Sequence, residues 1–104
     1  MQDYRNLEVW QVSMDYVVNI YKLAASFPHD ERHDPASQIR RAATSIPLNI
    51  AEGAGCDSNR EFTRYLVYAY SSCNELQGLI IDGNRLCKML YSFIKKLKTI
   101  NPKP

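Results

Sequence analysis

The sequence predicts an all-α protein, an up-and-down four-helix bundle, and three observations carry the prediction. Apolar residues recur at helical spacing in separate segments, no segment alternates apolar and polar residues as a half-buried strand would, and Pro, Gly, Asp and Asn punctuate the breaks. At 104 residues with 45% hydrophobic side chains, the chain can bury a core as a single domain over residues 1–104.

The first helix is expected from about Leu7 to Ala25, closing at Phe27-Pro28 before a polar loop from His29 to Asp34. Leu7, Trp10, Met14, Val17, Tyr21 and Ala24 form one apolar stripe. Val9, Val12, Tyr16, Ile20 and Leu23 form another, and only the arc of Glu8, Gln11, Asp15, Asn19 and Lys22 is consistently polar. A helix in a monomeric bundle needs one buried stripe, so the second either widens the core contact or meets another subunit. The interface reading is preferred, with Val9, Val12, Tyr16, Ile20 and Leu23 as the subunit contacts and Trp10 in the core.

The second helix is expected from Pro35 or Ala36 to Glu52, with Ile39, Ala43, Ile46 and Ile50 as its core stripe. Arg41, Ser45, Asn49 and Glu52 make a polar stripe beside it, read as an interhelical hydrogen-bond network that fixes register. Pro47 removes an N–H and crowds the Ala43 carbonyl, which predicts a kink, and Gly53 supplies a stop signal.

Ser58 with Glu61 three residues later is a capping box, so a third helix starts there and continues to about Ile81. Its core stripe is Phe62, Leu66, Ala69, Cys73, Leu76 and Ile80. The same spacing runs on through Gly83, Cys87, Leu90, Ile94 and Leu97, so one long helix is an alternative to a hairpin. The hairpin is favoured because Asp82-Gly83-Asn84 is strong turn chemistry and folding back buries both apolar faces. The fourth helix then spans about Arg85 to Thr99.

Nothing in the chain has the pattern of a catalytic apparatus, and the protein is read as a non-enzyme with no cofactor. Cys56, Cys73 and Cys87 are odd in number and lack CxxC spacing, which argues against a disulfide framework or a zinc ribbon. His29-Asp30-Glu31-Arg32-His33 has two histidines four apart, as in the HExxH zinc motif, but the acid after the first is Asp30 and no third ligand is identifiable. It is read as a solvated loop, with no metal bound. No apolar run is long enough to span a bilayer and the N-terminus has no signal pattern, so no membrane partner and a cytoplasmic location are expected.

The net charge of +2 is unevenly spread. Arg85, Lys88, Lys95, Lys96, Lys98 and Lys103 follow residue 84 with no acid among them. Of these, Arg85, Lys88, Lys95, Lys96 and Lys98 are the candidate nucleic-acid contacts. Lysines near a helix C-terminus also meet its dipole and solubilise its surface, which competes with that reading. Tyr65, Tyr68, Tyr70 and Tyr91 could stack on bases, although tyrosines at helical spacing more often serve core or interface.

The string Gln38-Ile39-Arg40-Arg41-Ala42, followed by Ser45-Ile46-Pro47-Leu48-Asn49-Ile50-Ala51-Glu52-Gly53, resembles the signature of small bacterial four-helix-bundle proteins encoded in intervening sequences of 23S ribosomal RNA genes. Leu7-Glu8-Val9-Trp10, Ile20-Tyr21 and Phe27-Pro28 resemble that family's first helix. Ser58, Glu61-Phe62, Tyr65-Leu66, Ala69 and Glu75-Leu76 resemble its third, and Lys88-Met89-Leu90 its last. Two departures stand out: a shortened hairpin connection between Leu76 and Lys88, and His33-Asp34-Pro35 in place of a Tyr-Gly-Leu-like stretch. The resemblance implies a ring-forming homo-oligomer, specifically a pentamer. The expected function is binding of structured RNA or other nucleic acid through a basic surface made continuous by assembly. The alternative is a protein-interaction scaffold, or an accessory subunit for a nucleic-acid-processing enzyme.

Overall fold

Each amphipathic segment becomes a helix that buries one stripe against its neighbours. The computed structural model describes residues 2–25, 35–79 and 84–100. A 3-10 turn over Tyr4–Asn6 leads into α1 (Glu8–Ala24), α2 (Pro35–Ala54), α3 (Asn59–Leu79) and α4 (Asn84–Ile100). Among the described residues there is no strand.

Neighbours along the chain pack antiparallel. The Gln2 N–H donates to the Ala54 carbonyl at 2.8 Å, so the entry to α1 lies at the end of α2. Ser45 meets Ser72 while Gly53 meets Phe62 and Tyr65, so α3 runs back along α2. Tyr70 faces Tyr91 and Phe62 faces Phe93, with ring centroids 6.0 and 5.2 Å apart, so α4 returns along α3. A continuous helix would separate Phe62 from Phe93 by about 46 Å at 1.5 Å per residue, which excludes the long-helix alternative. The connection at 80–83, with Asp82 and Gly83, lies outside the described residues. The helices form a square in which α1 adjoins α2 and α4, and α3 adjoins the same two. The contact between α2 and α3 is the most extensive, and that between α1 and α4 the least.

The core follows the expected stripes on α2, α3 and α4. Ile39, Ala43, Ile46 and Ile50 meet Phe62, Leu66, Ala69, Cys73 and Leu76, with Leu90, Ile94 and Leu97 closing from α4. Ile80 and the side chain of Cys87 lie outside the described residues. Cys73 is wholly buried and packs as a small apolar group, as expected.

On α1 the phase differs from the expected one. The buried stripe is Val9, Ser13, Val17, Ile20 and Ala24. Val9 and Ile20, expected at a subunit contact, are core residues, and Val12 and Tyr16 are half-buried against that core. Leu23 is half-buried too. Conversely, Met14 and Tyr21 of the stripe expected inside are exposed, and Trp10 is only half-buried, its ring edge-on to Tyr4 at 4.9 Å. The cause is Ser13, which does not register as apolar in a periodicity count. Its hydroxyl donates to the Trp10 carbonyl at 2.7 Å, and with that proton satisfied the small side chain is buried at the centre of the seam. The polar arc of Glu8, Gln11, Asp15, Asn19 and Lys22 is exposed, as expected.

Helix ends are fixed locally. Ser58 Oγ accepts from the Glu61 N–H at 3.1 Å, the expected N-cap, while the Glu61 carboxylate turns to Arg64 at 2.9 Å. Asp3 caps the 3-10 turn by accepting from the Arg5 N–H. The Arg5 guanidinium, donating to the Asp3 carboxylate at 3.0 Å, holds that carboxyl below its ordinary value. α2 runs through Pro47 without a break.

Gly53, expected as a stop signal, stands one residue before the end of α2 at Ala54 and is buried there. A Cβ there would lie 2.8 Å from both Phe62 Cδ1 and Tyr65 Cβ, and 3.2 Å from the Phe62 carbonyl oxygen. Glycine is required by the close approach of α3. Gly53→Ala is therefore expected to cost about 1 to 3 kcal/mol through overpacking, read as a lowered urea midpoint. Gly55→Ala is the control, because a Cβ there comes only within 3.5 Å of the Glu52 carbonyl oxygen, and it should leave the midpoint nearly unchanged.

Candidate nucleic-acid interface

The anchoring of α4 determines what it presents to solvent. Leu90, Ile94 and Leu97 face the core at 4-3 spacing, which turns Tyr91, Ser92, Lys95, Lys96 and Lys98 outward. Lys95, Lys96 and Lys98 are all exposed, as their candidacy requires. Arg85 and Lys88 lie on the first turns of α4, and their side chains fall outside the described residues, as does Lys103.

Of these lysines only Lys98 stands in the last turn of the helix, where the unsatisfied carbonyls carry partial negative charge. Lys95 and Lys96 lie a turn earlier. Dipole compensation thus accounts for Lys98 and leaves the other two unexplained. The Lys95 ammonium sits 5.6 Å from the centroid of the Tyr91 ring, and Tyr91 is 51% exposed.

The four tyrosines divide into two pairs on opposite flanks of α3. Tyr65 stands against Gly53 on the flank that meets α2, and its ring is edge-on to Tyr68 at 5.7 Å. Arg64 lies 5.4 Å from the Tyr65 ring and is paired with Glu61, whose negative charge raises the guanidinium pKa further. That pair is electrostatically balanced. Tyr70 stands on the flank that meets α4, beside Tyr91, and this pair adjoins the lysines.

The polar stripe of α2 divides as well. Ser45 Oγ lies 2.6 Å from Ser72 Oγ across the helix pair and donates to the Ala42 carbonyl at 2.7 Å. Asn49 Nδ2 donates to the Ser45 carbonyl at 2.8 Å. Arg41 and Glu52 are exposed at the outer edge of the stripe, so the interhelical hydrogen bond belongs to Ser45 and Ser72. Ser72 is the partner that sequence reading missed, because a serine between apolar positions of α3 carries no signal of what faces it.

Among the described residues no three His, Cys, Asp or Glu side chains gather as metal ligands, and no helix is long and apolar enough to cross a membrane. His29 and His33 lie outside the described residues.

No curated protein matches the chain significantly. The family model described as 23S rRNA-intervening sequence protein matches residues 5–99. That span begins in the 3-10 turn and ends in the last turn of α4, so it takes in all four helices and the seam closed by Gly53 and Ser45. By this match and by its fold, the chain belongs to the 23S rRNA-intervening sequence protein family.

Proposed function

We propose that this chain is a non-enzymatic, cytoplasmic homo-oligomer that binds structured RNA through the outer face of α4. The observation that carries the reading is the exposure of Lys95, Lys96 and Lys98 on one helix, in a stretch after residue 84 that holds six basic residues and no acidic one. A sequence-independent attraction to phosphate needs such a face and little else. One copy presents a modest patch. A ring of copies, five by the family resemblance, repeats it at fixed spacing and gains avidity without any new contact.

The surface that best supports assembly is on α1, on the flank opposite the one first expected. Trp10, Met14, Val18 and Tyr21 follow one another at helical spacing, and Met14, Val18 and Tyr21 are all exposed. An apolar row on a helix already packed on its other face is the kind of surface a second subunit covers. The scaffold reading is favoured by a different residue, Leu48, which is 67% exposed on α2 beside Arg41 and Glu52.

Four expectations test the proposal. Val18→Asp should lower the mass measured by light scattering while circular dichroism keeps its helical signal, because an unpaired charge would be desolvated at the contact. Ile20→Asp places the same charge in the core and should cost about 3 to 5 kcal/mol, unfolding the chain. A wild type that is monomeric at micromolar concentration removes the assembly reading. Glutamate at Lys95, Lys96 and Lys98 together should abolish RNA binding with fold and mass unchanged. Each single glutamine substitution should reduce the slope of log affinity against log salt by about 0.7 to 0.9 for every copy whose lysine meets a phosphate. If the wild type binds no RNA at about 50 mM salt, the scaffold reading replaces this one.

A further inference from the structure

The lysines of α4 explain attraction to any phosphate backbone, but they do not explain the tyrosine among them. Tyr91 is adjacent to the wholly buried Leu90, so its backbone is held in the packed part of the helix while its ring is 51% exposed. Tyr70 supports that ring from α3, with centroids 6.0 Å apart and planes inclined at 40°. The ring is therefore oriented before any ligand arrives, which keeps the entropic cost of using it low.

Tyr91, Lys95 and Lys98 follow one another at the 4-3 spacing of one helix face. At 1.5 Å per residue the two lysines stand about 6 and 10 Å further along the axis, within reach of phosphates on either side of a nucleotide seated on the ring. The Lys95 ammonium already lies 5.6 Å from the ring centroid. An exposed cation on a tyrosine is held weakly and a stacked base more strongly, so a base can take the ring while the flexible lysine moves to its phosphate.

Resting on the RNA-binding reading above, we infer that Tyr91 is a base-stacking platform, and that α4 takes an unpaired nucleotide of the RNA with Lys95 and Lys98 on the flanking phosphates. Paired bases do not offer this contact. In a duplex each base is stacked on its neighbours, and the deep, narrow major groove of A-form RNA does not admit a side chain from a helix surface. The recognised feature is a loop, bulge or end within a structured RNA. The Tyr65–Tyr68 pair on the other flank is a poorer platform, since its rings are engaged edge-on at 5.7 Å and its nearby Arg64 is neutralised by Glu61.

The test uses the full chain and two labelled RNAs of equal length, a hairpin with an unpaired uridine loop and a fully paired duplex. Tyr91→Leu should weaken loop binding about tenfold, leave the salt slope unchanged and leave duplex affinity unchanged, whereas Tyr91→Phe should keep wild-type affinity. Ultraviolet crosslinking of the wild type to the uridine loop should map to the peptide containing Tyr91, a measurement that needs no variant to fold. Equal weakening for both RNAs, no weakening for either, or a changed oligomer mass in Tyr91→Leu would overturn the platform. Failure of the wild type to bind either RNA overturns the RNA-binding reading itself, and is distinct from duplex and loop binding that both ignore Tyr91.

Discussion

The close approach of α2 to α3 is the constraint on which the rest of the bundle depends. Along α2, Ala42, Ser45, Asn49 and Gly53 recur at 3-4-4 spacing on the flank that meets α3, and none of them is large. Helix axes come as near as the side chains between them allow. Here the limit is reached at Gly53, where even one carbon would stand 2.8 Å from Phe62 and Tyr65. A short hydrogen bond midway along α2, between the hydroxyls of Ser45 and Ser72, sets the register. Sliding α3 by one turn would separate those hydroxyls and lose the fit of Phe62 and Tyr65 against Gly53, so both contacts hold the register.

With α3 fixed, its opposite flank fixes α4. Tyr70 and Phe62 receive Tyr91 and Phe93, and Leu90, Ile94 and Leu97 complete the core. α4 touches α1 only lightly, so its orientation is inherited mainly from α3. The basic face is accordingly positioned, through α3, by a seam to which its own lysines do not belong. Substitutions on the outer face of α4 touch no part of that seam, which separates effects on binding from effects on folding.

Most of the architecture was legible because the stripes on α2, α3 and α4 are built from unambiguous apolar residues at regular spacing. Ile39, Ala43, Ile46 and Ile50, or Phe62, Leu66, Ala69, Cys73 and Leu76, allow only one phase. α1 did not, because apolar residues occupy all but one arc of it and the true centre of its buried face is Ser13. Periodicity counts cannot see a serine whose hydroxyl is satisfied by its own helix. Gly53 was read only in part for a related reason. Local chain chemistry marks it as a terminator, and α2 does end at Ala54, but its role in admitting Phe62 and Tyr65 of α3 is invisible to such a reading. Of the candidate interface, the basic stretch of α4 was legible from composition alone. The separation of the tyrosines into a balanced pair and a lysine-flanked pair required knowing which flank of α3 each one meets.

The charge distribution and the packing hierarchy bear on each other. α1, the helix most tied to the start of the chain, carries Glu8 and Asp15 against Lys22 on its exposed arc and is acidic on balance there, whereas the exposed charges described on α4 are all basic. Exposed charges more than about 10 Å apart are largely screened at physiological salt, so the acidic arc does little to cancel the basic face across the width of the bundle. Opposite charges on α1 and α4 gain little from their light mutual contact, and an exposed pair there would contribute little stability. Lys95, Lys96 and Lys98 are exposed on α4 and stand away from the tightest seam of the core. On the proposed function, that arrangement lets phosphate contacts form and break with salt while the four helices remain as they are.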